Sequence, residues 1–292
     1  MKLQHKVFEK ICRLVKDAKP YRFYNIKEDQ RTGADFKLVF FCGSYGINYL
    51  NASMVSVHKN WKTLPEILIV TDGTPIEKIK SELIAWPKKV DFITWKVAAD
   101  YFDHLGNTDL VEYANKDLWG KKFISILYCA SQFPTLYSDT DILWFATPDI
   151  RWQKNKPVLM MSQDLLYCYS DDMLNELRLN EVNARPPLNA GLIFAFGDYS
   201  SHPQWPLLCN YLAQKPDNRT EQTSFAVLNN YFNRDDFFPS SEVLIKVDDG
   251  YKLNYTPGEY PSITARHYVN IKSTTFWRDF ILMLFKRRKF HL

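Results

Sequence analysis

"LYSDTDILWF", residues 136–145, decides how the chain is read. An apolar run enters it, an aromatic run leaves it, and two carboxylates, Asp139 and Asp141, stand one residue apart between them. Side chains at i and i+2 of an extended segment share a face, so both acids are expected to project together from a strand that overshoots them. Two like charges so close repel unless a cation lies beside them. A hard divalent ion that takes oxygen ligands and keeps positions open for phosphate suits the pair. The plain alternative is a turn with two solvated acids, for which the apolar flanks leave little room.

The flanking segments set the fold class. "FKLVFFCG" (36–43) and "EILIVTDG" (66–73) are continuous apolar runs closed by Gly, as in parallel strands buried on both faces. "VDFITW" (90–95) reads as a third strand. Helices are expected from Ser44 through "SYGINYLNASMVSVHKNW", over "PIEKIKSELIAW", and over "WGKKFISILYCASQ" (119–132). This alternation implies an α/β fold with a mostly parallel sheet. In the second half "KPVLMMSQ" and "LNAGLIFAFG" read as strands, "PQWPLLCNYLAQ" and "EQTSFAVLNNYF" as helices, and "TARHYVNI" as a strand bearing His267. Near the start, Leu3, Val7, Ile11, Leu14 and Val15 recur at helical spacing with Lys and Arg opposite, up to Pro20.

Composition narrows the function. A chain of 292 residues, 46% hydrophobic and 24% charged, is ordinary for a globular protein with a substantial core. The net charge of +4 is unevenly spread. Residues 1–20 hold six Lys/Arg and two Asp/Glu, and residues 284–292 hold four and none, so each end is +4 and the body between them −4. Such a body is not expected to bind nucleic acid. Cys12, Cys42, Cys129, Cys168 and Cys209 form no CxxC pair and read as reduced core residues, not a zinc site or disulfide frame. His5, Lys6, Glu9 and Lys10 interrupt any signal-peptide core, and no apolar run is long enough to span a bilayer. A cytoplasmic location is the expectation.

Beyond the residues themselves, "KFISILYCASQFPTLYSDTDILWFATPDI" (122–150) resembles the central motif of retaining GT-A glycosyltransferases. There a basic residue opens a helix, and a strand ends in D-x-D followed by an apolar run and Pro. The resemblance is to glycosyltransferase family eight, the group of glycogenin and the lipopolysaccharide galactosyltransferases. Further matches follow in order: "LNAGLIFAF" (188–196), "EQTSFAVL" (221–228) and "RHYVNIKSTTFW" (266–277). Departures are Asn270 where the family has Gly, Lys272 one place early, and Glu221 for Asp.

The resemblance implies a GT-A fold and metal-dependent retaining transfer of a sugar from a nucleotide-diphosphate donor, UDP-linked, to a glycan or lipid-linked saccharide. It implies Mn²⁺ or Mg²⁺ on Asp139, Asp141 and His267. Gly43, Ser44 and Tyr45 fall on its nucleotide-reading loop, with Tyr45 stacking on the base, and Thr71 and Asp72, which close the second strand beside them, are expected to bind the donor as well. Lys122 falls on the helix-opening residue that reaches the donor, Asn189 and Gly191 on the sugar-contacting strand end, Lys272 on the diphosphate contact, and Gln222 on the amide beside the anomeric carbon. A non-catalytic sugar-nucleotide- or glycan-binding scaffold of the same fold is an alternative. A haloacid-dehalogenase-like phosphatase is remote, because its nucleophilic Asp belongs on the first strand. Residues 1–275 are expected to form one domain. "FWRDFILMLFKRRKFHL" (276–292) is expected to be a basic amphipathic tail on an anionic membrane surface, at the cytoplasmic face. As a core helix it would instead bury Phe280, Ile281, Leu284 and Phe285.

Overall fold

The structure, a computed structural model, describes residues 2–26, 29–233, 236–245, 263–269 and 275–285. Its strands are β1 (Lys37–Cys42), β2 (Ile67–Thr71), β3 (Val90–Thr94), β4 (Thr135–Ser138), β5 (Ile142–Trp144), β6 (Val158–Gln163), β7 (Leu188–Phe196), β8 (Val243–Ile245) and β9 (Ala265–His267). The helices are α1 (Lys2–Asp17), α2 (Ile47–Asn60), α3 (Ile76–Glu82), α4 (Trp95–His104), α5 (Thr108–Lys116), α6 (Leu118–Gln132), α7 (Asp171–Glu176), α8 (Trp205–Gln214), α9 (Asn218–Phe232) and α10 (Trp277–Phe285).

A six-stranded sheet runs in the order β3-β2-β1-β4-β7-β6. The pairs β3-β2, β2-β1 and β1-β4 are parallel, whereas β7 is antiparallel to both β4 and β6. The carboxyl ends of β1–β4 and β6 and the amino end of β7 therefore meet along one edge, where open α/β sheets bind ligands. Alternate residues feed opposite faces. Val39, Val70, Tyr137 and Ile193 pack under α4–α6, α8 and α9, and Leu38, Phe40, Ile69, Leu136 and Phe194 pack on the α2 side.

The stretch 135–144 is not one strand. The chain leaves the large sheet after Ser138 and re-enters a three-stranded sheet, β5-β9-β8, at Ile142. Asp139, Thr140 and Asp141 form the corner, closed by Ile142 N donating to Asp139 O at 3.3 Å. Tyr268 N, just past β9, donates to Asp141 O at 3.1 Å. Apolar residues continue on both sides because both sheets are buried, so the pattern alone conceals the break. The two acids converge because the chain bends between sheets, a different cause from the shared face of one strand. Smaller differences follow from turns. Residues 43–46 turn before α2 begins, with Gly46 N bonded to Gly43 O at 2.9 Å.

At the chain's far end, Phe276, Trp277 and Phe280 are buried with Tyr21, Ala52, Val55, Leu143 and Tyr268. Arg266 bonds Asp279 at 2.7 Å, and Lys59 Nζ reaches the Met283 and Leu284 carbonyls, the latter at 2.8 Å. Ile281 and Leu284 are half-buried and Phe285 is exposed. The boundary expected between 275 and 276 thus runs through a packed aromatic cluster. Residues 286–292, with the basic block, lie outside the described residues.

Candidate active site

Asp139 and Asp141, on the corner, meet His267 at the end of β9. Carboxylate and imidazole atoms of all three lie within 4.8 Å of one another. The pairing of β9 with β5 sets Ile142 opposite His267, which brings a residue more than a hundred positions away beside the acids. His267 Nε2 is 3.4 Å from Asp141 Oδ1 and 3.6 Å from Asp139 Oδ2.

The opposite ring nitrogen fixes the tautomer. Asn189 Nδ2 donates to Asp164 Oδ2 at 2.9 Å, and Asn189 Oδ1 accepts from Gly191 N at 2.8 Å. That oxygen lies 3.1 Å from His267 Nδ1, so Nδ1 carries a proton and, in the neutral ring, Nε2 presents its lone pair to the two carboxylates. Three electron-rich groups then face a common point. A divalent cation there would suit all three, and two carboxylates with one imidazole make a donor set that can hold one. Gly191 makes the arrangement possible, because a Cβ at that position would fall inside the His267 imidazole.

Asp139 is held from behind. Tyr137 Oη donates to its Oδ1 at 2.5 Å, and the buried Lys122 Nζ lies 3.4 Å from the same oxygen. Lys122 also lies 3.3 Å from Glu221 Oε1 on α9. Burial works against the lysine charge, but Asp139 and Glu221 outweigh it and hold the ammonium above its usual range. Burial pushes Glu221 up to about 7, with Lys122 opposing and Asp139 adding to the rise. Lys122 is thus enclosed between two acids and does not extend into solvent. Asp139 alone of the triad is partly open, which gives the cluster one accessible side.

The ends of β1 and β2 flank the corner. A Cβ on Gly46 would stand 3.5 Å from Thr140 Oγ1, so residues 43–46 abut the acids. A Cβ on Gly43 would strike the Asp72 carboxylate. Asp72 Oδ1 accepts from Thr74 N at 2.9 Å and from Thr74 Oγ1 at 2.7 Å, and Ser44 N donates to Thr74 Oγ1 at 3.2 Å. Tyr45 is 97% exposed, its ring available for stacking. Thr71 is fully buried between Cys42 and Thr94 and presents nothing to solvent.

No family model and no curated protein sequence matches the chain. Solved structures do. An active-site mutant of LgtC superposes with a TM-score of 0.53 at 15% identity, covering 87% of this chain and 98% of that one. The galactosyltransferase LgtC in complex with donor and acceptor sugar analogues gives 0.52 at 13%, with the same coverage. Mouse xyloside xylosyltransferase 1 gives 0.50 at 10% identity, covering 82% and 98%. The fold is that of the GT-A glycosyltransferases.

On this GT-A frame the remaining expected residues fall as follows. Asn189 spends both ends of its amide inside the protein, on Asp164, Gly191 and His267. Gln222 follows Glu221 on α9, and its buried Nε2 has no hydrogen-bond partner among the described residues. Lys272 lies outside the described residues. Three residues were not singled out from the sequence: Tyr137, Glu221 as the partner of Lys122, and Asp164. Tyr137 was legible, since it stands two residues before Asp139 in an extended strand. Asp164 carried a weaker signal, an acid closing the strand "VLMMSQ". The pairing of Glu221 with Lys122 joins two helices, and no local pattern announces it.

Proposed function

We propose that this chain is a metal-dependent glycosyltransferase that moves a sugar from a UDP-linked donor to a glycan or lipid-linked saccharide, with retention at the anomeric carbon. The observation that carries the reading is His267 Nε2 turned onto Asp139 and Asp141 at the ligand edge of a GT-A sheet. Asp139, Asp141 and His267 would hold the ion, Mn²⁺ or Mg²⁺. When bound, such an ion offsets charge on a diphosphate leaving group as the glycosyl bond breaks.

The chain's own groups do the rest. Tyr137 and Lys122 hold Asp139 by Oδ1, which leaves Oδ2 toward His267. Asn189 positions the His267 ring. Gly43 and Ser44 offer close backbone to the nucleotide, and Tyr45 stacks on its base. Gln222 stands beside the reacting carbon, and Lys272 meets the diphosphate. The acceptor approaches over Leu165, Leu166 and Tyr167, three consecutive exposed side chains. That segment is tied to the site through Asp164 Oδ1, which accepts from Leu165 N at 2.7 Å and Leu166 N at 3.2 Å. The basic tail places the enzyme on an anionic membrane surface.

The test is a donor screen by thermal shift with UDP-, GDP-, ADP- and CMP-sugars, with and without Mn²⁺, followed by acceptor-free donor hydrolysis. A Mn²⁺-dependent shift with one nucleotide class and slow hydrolysis of that donor are expected. A shift without hydrolysis would favour a binding scaffold, and no shift with any donor would defeat both.

A further inference from the structure

We infer that α1 is a membrane-contacting element, its Ile11–Leu14 edge entering the headgroup region of an anionic bilayer while Lys10 and Arg13 meet the lipid charge. The inference goes beyond the proposed reaction and does not depend on it.

Over residues 10–17 of this helix, the described residues of the domain cover only one side. Cys12 is buried, and Val15 packs against the cluster of Tyr21, Trp277 and Phe280. Lys16 Nζ sits 5.7 Å from the Tyr49 ring centre on the same side. Yet Ile11 is 52% and Leu14 61% exposed. A lone exposed aliphatic residue is unremarkable. Here two adjoin on one helix, at i and i+3, which places them on the same face. In the sequence they continue the spacing begun by Leu3 and Val7. At Ile11 and Leu14 the apolar arc of the helix therefore extends past the surface that the described residues offer it.

The charges choose the occupant. Lys10 and Arg13 beside this edge are exposed, and residues 1–20 carry six basic and two acidic side chains on a chain whose body is acidic. A helix with an open apolar edge and basic flanks matches an interfacial helix, in which apolar residues sit at the acyl boundary and basic ones at anionic headgroups. Position supports this. α1 packs against α10, where Phe285 is 81% exposed and the sequence continues directly into Lys286, Arg287, Arg288 and Lys289. Among the described residues no helix is long and apolar enough to cross a membrane, so the contact would be peripheral.

The experiment is co-sedimentation of the full chain with phosphatidylcholine vesicles, with and without phosphatidylglycerol. The chain is expected to bind the anionic vesicles and to be released by salt. The double variant Ile11→Ser with Leu14→Ser should bind about tenfold more weakly, because two aliphatic side chains no longer enter the interface. Its thermal unfolding should be unchanged, since both side chains are already exposed. Lys10→Glu with Arg13→Glu, a second variant independent of packing, should lose the preference for anionic vesicles. Undiminished binding by both variants would overturn the inference and leave attachment to the tail alone. A wild-type chain that ignores vesicles but dimerises in solution, with the Ile11/Leu14 variant monomeric, would overturn it too and assign the edge to a second copy.

Discussion

His267 Nδ1 stands 3.1 Å from Asn189 Oδ1, and this single contact decides which face the imidazole turns to the two aspartates. Because Asn189 Nδ2 is committed to Asp164, its oxygen can only accept, and His267 must donate. A metal ligand oriented by such a bond loses affinity when the bond is removed, by about 10–100-fold in comparable sites. Asn189→Ala is therefore expected to weaken Mn²⁺ binding by that order, while Asp141→Asn and His267→Ala abolish Mn²⁺-dependent donor binding. Titration of Mn²⁺ against donor-induced thermal shift measures all three. Unchanged Mn²⁺ affinity in Asp141→Asn would remove the metal assignment.

Gly191→Ala tests the same site by volume alone. The added methyl collides with the His267 ring, not with a movable chain end. The ring or β7 must shift, so the variant should resemble His267→Ala in Mn²⁺ response although every ligand atom remains. A variant with wild-type Mn²⁺ dependence would mean that the ring has room to move aside.

Glu221 should make stability depend on pH. Its carboxyl rises from an ordinary 4.5 to about 7 in the folded protein. The folded chain then binds more protons than the unfolded chain between those values, and stability falls as pH rises through that window. Below about 4.5 the contribution is fully present. Glu221→Gln should flatten the decline, read as melting temperature against pH. If wild type and variant run parallel from acid to neutral pH, Lys122 holds Glu221 ionised throughout.

Much of this arrangement was readable from sequence, and the exceptions have a common physical origin. Continuous apolar runs identified β1 and β2, because a strand buried on both faces leaves no polar alternation. The spacing Trp95, Ala98, Ala99 and Phe102, all buried on α4, marks a helix too, but it begins inside the strand pattern of "VDFITW", which masks its start. Asp139 and Asp141 were legible as a pair from their spacing and apolar flanks, His267 came from family likeness, and the structure brings the three together. What the sequence could not reveal was the bend at Thr140, since both flanking sheets are apolar, and the enclosure of Lys122 between Asp139 and Glu221. That enclosure depends on how α6 and α9 meet under the sheet, a long-range packing result with no local periodicity.

Gln222 is expected to act on turnover more than on binding. It follows a buried Glu221 on α9, and its Nε2 is buried without a partner among the described residues. A group poised that way gains most when charge develops near it. Gln222→Ala should lower kcat more than about tenfold while donor affinity stays close to wild type, the signature of an interaction made mainly in the transition state. A donor affinity that falls in step with kcat would make Gln222 a binding residue.

The last prediction separates the packed helix from the basic end beyond it. Phe276, Trp277 and Phe280 fill an aromatic cluster with Tyr21 and Tyr268, and Asp279 accepts from both Arg266 and Tyr268. Arg266 precedes His267 on β9, so α10 braces the strand that carries the candidate site. Phe280→Ala should destabilise by about 3–5 kcal/mol, as large-to-small changes in tight cores do. A chain ending at 275 should fail to fold, whereas one ending at Phe285 should keep its melting temperature and Mn²⁺-dependent donor binding. Denaturant unfolding of the three variants measures this. A folded, Mn²⁺-responsive chain ending at 275 would make α10 a dispensable appendage and sever its support of β9.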